Sequence, residues 1–455
     1  MSYFRDEDDE YSVSLPLLRV TGGDLTVPIL GGQTRAINLD YAASTPALES
    51  VTAHVTEYLP YYSSIHRGAG FASQVSTSVY ENSRATIGKF LGARTDDTVI
   101  FTRNTTDSLN LLARAVPGET VFLDIEHHAN LLPWVAAGGR VVRSGDTLAE
   151  TLDLVEAELT RAPAALLTVT GASNVTGEVM PLAELAAIAH RHGARIAVDG
   201  AQLVPHRRVN MSELGVDYLA LSGHKVYAPF GAGVLVGRSD WLDAAPPLLL
   251  GGGGVTEVHL DSVHFRTGPA RHEAGSPNVV GVIALARAVE TLSGIDEAEW
   301  LAHERNLTDA AATGLEAIDG VNVIRLFRDA PDVVGVVSFT VEGIDARLLA
   351  TALSVEHGVA VRDGRFCAHP LMERLGIDKP ALRASFGVGS RTQDVEILVE
   401  AVRTLATRGP KAAYDFFDGQ WEPIPDTRVR PSWASDRISG QSYSVQTNVV
   451  CSPFL

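Results

Sequence analysis

The chain lacks the residue patterns on which several classes of protein depend. Only two of its 455 residues are cysteines, Cys367 and Cys451, which excludes a disulfide framework of the secreted kind and predicts reduced thiols. No stretch approaches the roughly 20 apolar residues that a membrane-spanning helix needs, and the acidic first ten residues lack the apolar core of a secretion signal. These absences predict a cytoplasmic protein with no membrane partner.

Positive charge is also scarce. The 37 lysines and arginines are outnumbered by 55 aspartates and glutamates, which gives a formal net charge of -18. Binding to a phosphate backbone needs a basic surface, so we predict no nucleic-acid partner. The length is enough for two or three domains of about 150 residues each.

Short apolar runs alternate with helix-period segments between about residues 40 and 240. The predicted strands are residues 98–101, 120–123, 140–142, 164–169, 195–198, 218–221 and 234–236. The predicted crossover helices are residues 73–90, 106–115, 148–160 and 181–192. This alternation predicts an α/β fold with a mostly parallel seven-stranded sheet.

The same patterns predict four parts of the chain. Residues 1–37 form an N-terminal segment that packs with a small domain, and residues 38–277 form a large cofactor-binding α/β domain. Residues 278–407 form the smaller α+β domain. Residues 408–455 are rich in Pro, Ser, Asp and aromatic residues without a sustained period, which predicts an irregular extension.

An aspartate and a lysine follow two successive predicted strands. Asp199 closes one apolar strand, and Lys225 comes shortly after the next. A lysine amine can hold the aldehyde of pyridoxal 5'-phosphate as a Schiff base, while a carboxylate at the pyridine nitrogen keeps that ring protonated. A solvated surface lysine is the ordinary alternative, but the apolar strand and the tight turn at residues 228–231 favour a buried amine. The pair therefore predicts this cofactor.

Polar residues follow other strands as well. Thr105 and Thr106 open a helix where backbone N–H groups and hydroxyls could bind a phosphate, although an ordinary helix cap is the alternative. His127 could stack on the pyridine ring, and Asn174 and Gln202 could reach the ring oxygen. His127 and His128 are neighbours, but no third ligand accompanies them at a spacing typical of zinc, so no metal site is predicted.

Eight segments together carry a resemblance to a known family. They are residues 38–43, 66–68, 126–133, 199–202, 222–225, 273–278, 362–372 and 383–385. In these segments the chain resembles the class V aminotransferase-like enzymes of fold type I, and most closely the SUF-type cysteine desulfurases. The resemblance covers about residues 38–405 and implies a fold-type I pyridoxal phosphate-dependent transferase.

The resemblance also implies roles for individual residues. It implies cofactor binding by Lys225, Thr105, Thr106, His127, Asn174, Asp199, Gln202, Ser222, His224 and Ser276, and substrate binding by Arg383, Asn174, His66 and Arg362. Ser276 would reach the phosphate of the neighbouring subunit, which implies a homodimer with shared active sites. A surface ion pair is the alternative for Arg383, and a capped surface histidine is the alternative for His66.

The reaction that the resemblance implies depends on Cys367. Family desulfurases carry a nucleophilic cysteine in a loop after an arginine and a glycine, and residues 362–367 fit that frame. Lys225, His127 and Cys367 would then be catalytic, sulfur would leave L-cysteine or a related sulfur or selenium amino acid as a Cys367 persulfide, and alanine would be released. A sulfur-acceptor protein is a further implied partner. Arg365 and Phe366 stand where the family usually has two histidines, and a buried structural cysteine is the alternative.

Two other functions are open to the same residues. One is another class V reaction on an amino acid, namely aminotransfer, C–S lyase cleavage or epimerisation in specialised metabolism, because one lysine and aldehyde serve all of them. The other is a non-catalytic regulatory protein that binds pyridoxal phosphate. Product analysis separates the first from desulfuration, and any turnover of an amino acid eliminates the second.

Overall fold

Thirteen α-helices and nineteen strands occur in residues 15–434, the part of the chain that this computed structural model describes. The helices are α1 (Glu49–Tyr58), α2 (Phe71–Phe90), α3 (Thr105–Ala115), α4 (Leu132–Ala136), α5 (Leu148–Arg161), α6 (Leu182–Arg191), α7 (Met211–Leu214), α8 (Ser239–Ala244), α9 (Val279–Ser293), α10 (Glu297–Glu316), α11 (Ala346–His357), α12 (His369–Arg374) and α13 (Thr392–Arg408). The first ten strands are β1 (Thr26–Ile29), β2 (Gly32–Arg35), β3 (Ile37–Asn38), β4 (Asp97–Thr102), β5 (Thr120–Leu123), β6 (Arg140–Val142), β7 (Leu166–Thr170), β8 (Arg195–Asp199), β9 (Tyr218–Ser222) and β10 (Gly233–Arg238). The others are β11 (Val255–Val258), β12 (Val263–Phe265), β13 (Val321–Val323), β14 (Val336–Val341), β15 (Val359–Ala360), β16 (Arg362–Gly364), β17 (Ala381–Ser385), β18 (Tyr414–Phe417) and β19 (Gln420–Pro423). None of the helices in residues 15–434 is long and apolar enough to span a bilayer.

The largest sheet has seven strands in the order β4-β10-β9-β8-β7-β5-β6. All neighbouring pairs are parallel except those of β10, which runs antiparallel to both β4 and β9. Every residue of β5, β7 and β9 is buried, as expected for near-continuous apolar strands covered on both faces. The predicted α/β fold with a mostly parallel seven-stranded sheet is therefore confirmed. The carboxyl ends of β5, β7, β8 and β9 lie at one edge of this sheet.

A second, antiparallel sheet has the order β13-β14-β17-β16. It shares an apolar core with α10, α11 and α13, and Ile37 and Leu39 from the beginning of the chain join that core. Helix α9 instead packs on α1 and α2, and its buried residues belong to the core of the large sheet. The chain therefore passes from the core of the large sheet to the core of the second sheet within α10, which lies after the predicted domain boundary at residue 278.

The segment after residue 408 contains regular structure that the sequence interpretation missed. Strands β18 and β19 form an antiparallel hairpin whose two turn residues, Asp418 and Gly419, both have positive φ values of 48° and 81°. An Asp-Gly pair is a strong hairpin signal, because the tight two-residue turn requires positive φ at both positions and these two residue types are preferred there. The hairpin packs on α11, where the Glu356 carboxylate accepts a 2.9 Å hydrogen bond from the Tyr414 hydroxyl. The prediction of an irregular extension was therefore wrong for residues 414–423.

Candidate active site

A cavity of about 290 Å³ lies at the carboxyl edge of the large sheet, between that edge and the loop after β16. Twelve of the fourteen site residues proposed from the sequence line it. They are Lys225, Cys367, His127, Thr105, Thr106, Asn174, Asp199, Gln202, Ser222, His224, Arg362 and Arg383. These residues come from the ends of β8 and β9, from the segments that follow β5, β7, β8 and β9, from the start of α3, and from the second sheet and the loop after β16, so the cavity depends on both sheets.

Lys225 ends a short 3₁₀ turn that directly follows β9. The turn needs glycine at position 223, because a Cβ there would lie 2.8 Å from the carbonyl oxygen of Ala232. Burial lowers the pKa of Lys225 to about 8; Asp199 opposes this shift and Arg383 adds to it. A large fraction of the amine is therefore unprotonated at mildly alkaline pH, as an amine nucleophile must be.

Asp199 and Gln202 present oxygen atoms to the cavity. Asp199 ends β8, and its Oδ1 accepts a 3.0 Å hydrogen bond from the backbone N–H of Ala201. Burial raises the pKa of this carboxyl group. The Gln202 amide donates from Nε2 to the carbonyl oxygen of Ala42 at 2.7 Å, while its buried Oε1 has no partner within residues 15–434. A buried acceptor without a donor is costly, so this atom suits a ligand hydroxyl group.

The first turn of α3 and the end of β9 form a polar cradle. The Thr105 hydroxyl lies 2.8 Å from the Ser222 hydroxyl, which also accepts a hydrogen bond from the Thr105 backbone N–H. Gly233 on β10 permits the close approach, because a Cβ there would lie 2.5 Å from the Asn104 backbone. Thr106 and His224 complete this end of the cavity. The hydroxyl groups of this cradle and the positive end of the helix dipole favour an anion here.

His127 follows β5 and caps the next short turn. Its Nδ1 accepts a 3.0 Å hydrogen bond from the Ala129 backbone N–H, so a neutral ring carries its proton on Nε2. Burial lowers the pKa of His127 to about 3, with Lys225 and His128 acting in the same direction. The ring is therefore neutral at physiological pH.

Residues 15–434 contain no group of three or more His, Cys, Asp or Glu side chains that could hold a metal ion.

A buried network that sequence reasoning missed holds the His127 turn in place. Glu126 accepts hydrogen bonds from the Asn130 side chain at 2.6 Å and from the Thr170 backbone N–H at 3.0 Å, and Asn130 accepts one from the Trp134 indole at 2.9 Å. Burial raises the pKa of Glu126 well above its usual value. The spacing of four residues between Glu126, Asn130 and Trp134 was the signal in the sequence that could have revealed it.

The loop that carries Cys367 is held against the cavity wall. Phe366 and Cys367 have positive φ values of 52° and 53°, which is a strained conformation for two successive residues other than glycine. The Asn174 amide donates to the Phe366 carbonyl oxygen at 2.7 Å, and the His128 backbone N–H donates to the Cys367 carbonyl oxygen at 2.8 Å. Cys367 is exposed, so the alternative of a buried structural cysteine is wrong. Cys451 lies outside the described residues.

Two arginines of the second sheet face the cavity, opposite each other on β16 and β17. Arg383 is 4% exposed, which contradicts the alternative of a surface ion pair. It donates through Nη1 to the Asn174 carbonyl oxygen at 2.9 Å and pairs with Asp40 at 3.3 Å. The Phe366 ring covers it, with the guanidinium carbon 5.1 Å from the ring centroid. Burial lowers the pKa of Arg383.

The remaining two candidates, His66 and Ser276, lie elsewhere in the single chain. Both line a second cavity of about 530 Å³, where the His66 ring contacts the Glu81 carboxylate at 2.9 Å. Nearby, Glu273 binds Arg84 through two hydrogen bonds of 2.7 and 2.9 Å. A role for His66 or Ser276 at the first cavity therefore needs a second copy of the chain.

Comparisons with known proteins agree with this architecture. The family model for aminotransferase class V matches residues 37–398. A probable cysteine desulfurase of Vibrio cholerae is 34% identical, covering 80% of this chain and 92% of the relative, and a cysteine desulfurase of Haloferax volcanii is 35% identical, covering 87% and 96%. The structure of a cysteine desulfurase from Thermococcus onnurineus superposes with a TM-score of 0.76 at 32% identity, covering 89% of this chain and 99% of that one.

The mostly parallel seven-stranded sheet with this lysine at its carboxyl edge is the fold type I architecture of pyridoxal phosphate-dependent enzymes. Within that class, the chain belongs to the aminotransferase class V family. The resemblance found in the sequence is therefore confirmed.

Proposed function

We propose that the chain is a pyridoxal phosphate-dependent cysteine desulfurase that takes sulfur from L-cysteine onto Cys367 and releases alanine. The observation that carries the proposal is the placement of an exposed thiol in the wall of the cavity that contains Lys225. An aminotransferase, a lyase or an epimerase needs no thiol at this place. The names of the relatives support the same reaction.

The residues of the cavity fit the cofactor. Gln202 offers a buried acceptor for which residues 15–434 supply no donor, and the start of α3 offers hydroxyl groups and a helix N-terminus for a phosphate. In our proposal Thr105, Thr106, Ser222 and His224 hold the phosphate, Asp199 faces the ring nitrogen, Gln202 and Asn174 face the ring oxygen, and His127 packs on the ring. When bound, the cofactor supplies an electron sink for the carbanion at the substrate Cα.

In the proposed reaction, residues of the protein bind the substrate, accept a proton and accept the sulfur atom. Arg383 and Arg362 bind the substrate carboxylate, for which a guanidinium fork is well suited. The Lys225 amine, with a pKa near 8, accepts the proton that leaves Cα. The Cys367 thiolate attacks the substrate sulfur; the S–S bond forms as the Cβ–S bond breaks. The electron pair of the broken bond stays with carbon, which takes up a proton to give alanine.

We also propose a homodimer in the cytoplasm with shared active sites and a protein acceptor for the sulfur. His66 and Ser276 line a separate cavity, away from Lys225. In addition, Leu249, Leu250 and Leu260 are 60%, 78% and 112% exposed, and a subunit contact would remove this apolar surface from water. Mixing Lys225→Ala with Ser276→Ala chains tests this arrangement. Mixed dimers contain one intact site if the sites are shared, so activity should reappear on mixing; no recovery would contradict the sharing.

Product analysis tests the reaction. The purified protein, loaded with cofactor, is incubated with L-cysteine and a thiol reductant, and we expect alanine and sulfide in equal amounts. The Cys367→Ser variant should keep the visible absorbance of the cofactor and lose sulfide release, whereas Cys451→Ser, the matched control, should match the wild type. Pyruvate with ammonia as products, or full activity in Cys367→Ser, would contradict the proposal.

A further inference from the structure

The Arg383 guanidinium is buried and incompletely paired. Its Nη1 donates to the Asn174 carbonyl oxygen at 2.9 Å, and its Nη2 makes a single contact with Asp40 Oδ1 at 3.3 Å. The buried Nε has no partner within residues 15–434. A carboxylate that met Nε and Nη2 together would make the two parallel hydrogen bonds that arginine favours, which Asp40 does not make.

The ion pair with Asp40 does not offset the burial of its partners. Burial raises the pKa of Asp40 and lowers the pKa of Arg383, and in both residues the attraction between them opposes that shift without cancelling it. The Asp40 side chain is 26% exposed, against 5% for that of Arg383. Asp40 can therefore regain water if the pair opens, while Arg383 would stay buried and charged.

The backbone at Asp40 is fixed independently of this ion pair. Asp40 forms a parallel bridge with Ser385, and the Ser385 hydroxyl accepts a 2.9 Å hydrogen bond from the Ala42 backbone N–H. A change of the Asp40 side chain should therefore leave the chain path intact.

We propose that Asp40 is a positioning residue that pairs with Arg383 between turnovers. Its carboxylate competes with the substrate carboxylate for the Nη2 atom of Arg383. This inference rests on the proposed function, in which Arg383 binds that carboxylate. Removing the Asp40 charge should therefore tighten the binding of carboxylates. If Asp40 only held the arginine in place, removing its charge would instead weaken the binding of carboxylates.

Calorimetric titration of the cofactor-loaded protein with butanoate tests the inference, because butanoate has the carboxylate but lacks the amine that would react with the cofactor. Butanamide is the uncharged control ligand. We expect Asp40→Asn to lower the Kd for butanoate by about tenfold and to leave butanamide binding unchanged; Asp40→Ser should act in the same direction. Asp363→Asn is the matched control. It removes a negative charge from the neighbouring strand β16, but among the hydrogen bonds of residues 15–434 none joins the Asp363 side chain to Arg383.

The outcomes separate the inference from the proposed function. Unchanged or weaker butanoate binding in both Asp40 variants, or an equal gain in Asp363→Asn, would overturn the competition while leaving the role of Arg383 intact. Butanoate binding that survives unchanged in Arg383→Gln would overturn both, because the carboxylate would then bind elsewhere.

Discussion

The side chain of Asn174 donates a 2.7 Å hydrogen bond to the carbonyl oxygen of Phe366. Asn174 lines the cavity that contains Lys225, and Phe366 immediately precedes Cys367 in the chain. The loop that carries the thiol is therefore held in part by a residue of the wall that would face the cofactor, and the His128 backbone N–H supplies a second hydrogen bond to the same loop.

Removing that contact should release the loop. Asn174→Ala leaves a buried carbonyl oxygen without a donor, so we expect the free energy of unfolding to fall by about 1–2 kcal/mol. Trypsin cleavage after Arg365 should also become faster, because local opening exposes the loop backbone. Urea denaturation and mass spectrometry of the tryptic fragments measure the two effects, with Cys367→Ser, which keeps the hydrogen bond, as the control. Equal cleavage rates in all three proteins would show that Asn174 does not hold the loop.

The reaction of Lys225 with the cofactor should depend on pH with a midpoint near 8. The lowered pKa means that the amine is protonated below this pH and free to attack above it. Loading of the apoprotein, followed by visible absorbance, should therefore speed up from pH 7 to pH 9 and then level off. Because Arg383 helps to lower the pKa of Lys225, Arg383→Gln should move the midpoint upward. A midpoint close to the ordinary lysine value in the wild type would contradict the burial of this amine.

His127 should remain neutral throughout the range in which histidines usually titrate. Burial is the main reason that its pKa lies near 3, and the positive charge of Lys225 contributes. Nitrogen-15 NMR of the apoprotein should show one histidine with no titration between pH 5 and pH 8, protonated on Nε2, whose signal disappears in His127→Gln. Titration of this ring near its ordinary pKa would be inconsistent with the cavity described above.

Glu273 should be needed for stability. Its carboxylate holds the Arg84 guanidinium and also accepts a 2.9 Å hydrogen bond from the Tyr80 hydroxyl. Glu273→Gln leaves the largely buried Arg84 with only the more exposed Glu81 carboxylate as a counter-ion, which should lower the free energy of unfolding by about 2 kcal/mol. Glu316→Gln, which removes an exposed pair with Arg325, is the control and should change it by less than about 1 kcal/mol. Equal losses in both variants in urea denaturation would refute this role.

The large sheet was readable from the sequence because its strands are buried on both faces. Strands β5 and β6 have the bounds that their apolar runs predict, residues 120–123 and 140–142. Polar residues that follow such strands must meet at one edge of a parallel sheet, so the grouping of His127, Asp199 and Lys225 could also be anticipated.

Features that depend on contacts between distant segments could not be read in this way. The left-handed backbone at Phe366 and Cys367 is stabilised by donors from residues 174 and 128, and no local pattern reports them. The packing of α9 against α1 and α2 likewise follows from tertiary structure. The hairpin at residues 414–423 is different, because its Asp-Gly turn was visible in the sequence and was overlooked.

The most direct test of the account is the mass of the Cys367 peptide after the loaded protein has reacted with L-cysteine in the absence of a reductant. The account predicts that this peptide gains the mass of one sulfur atom, that the Cys451 peptide gains none, and that alanine appears in a matching amount. Release of alanine with no added sulfur on Cys367 would contradict it.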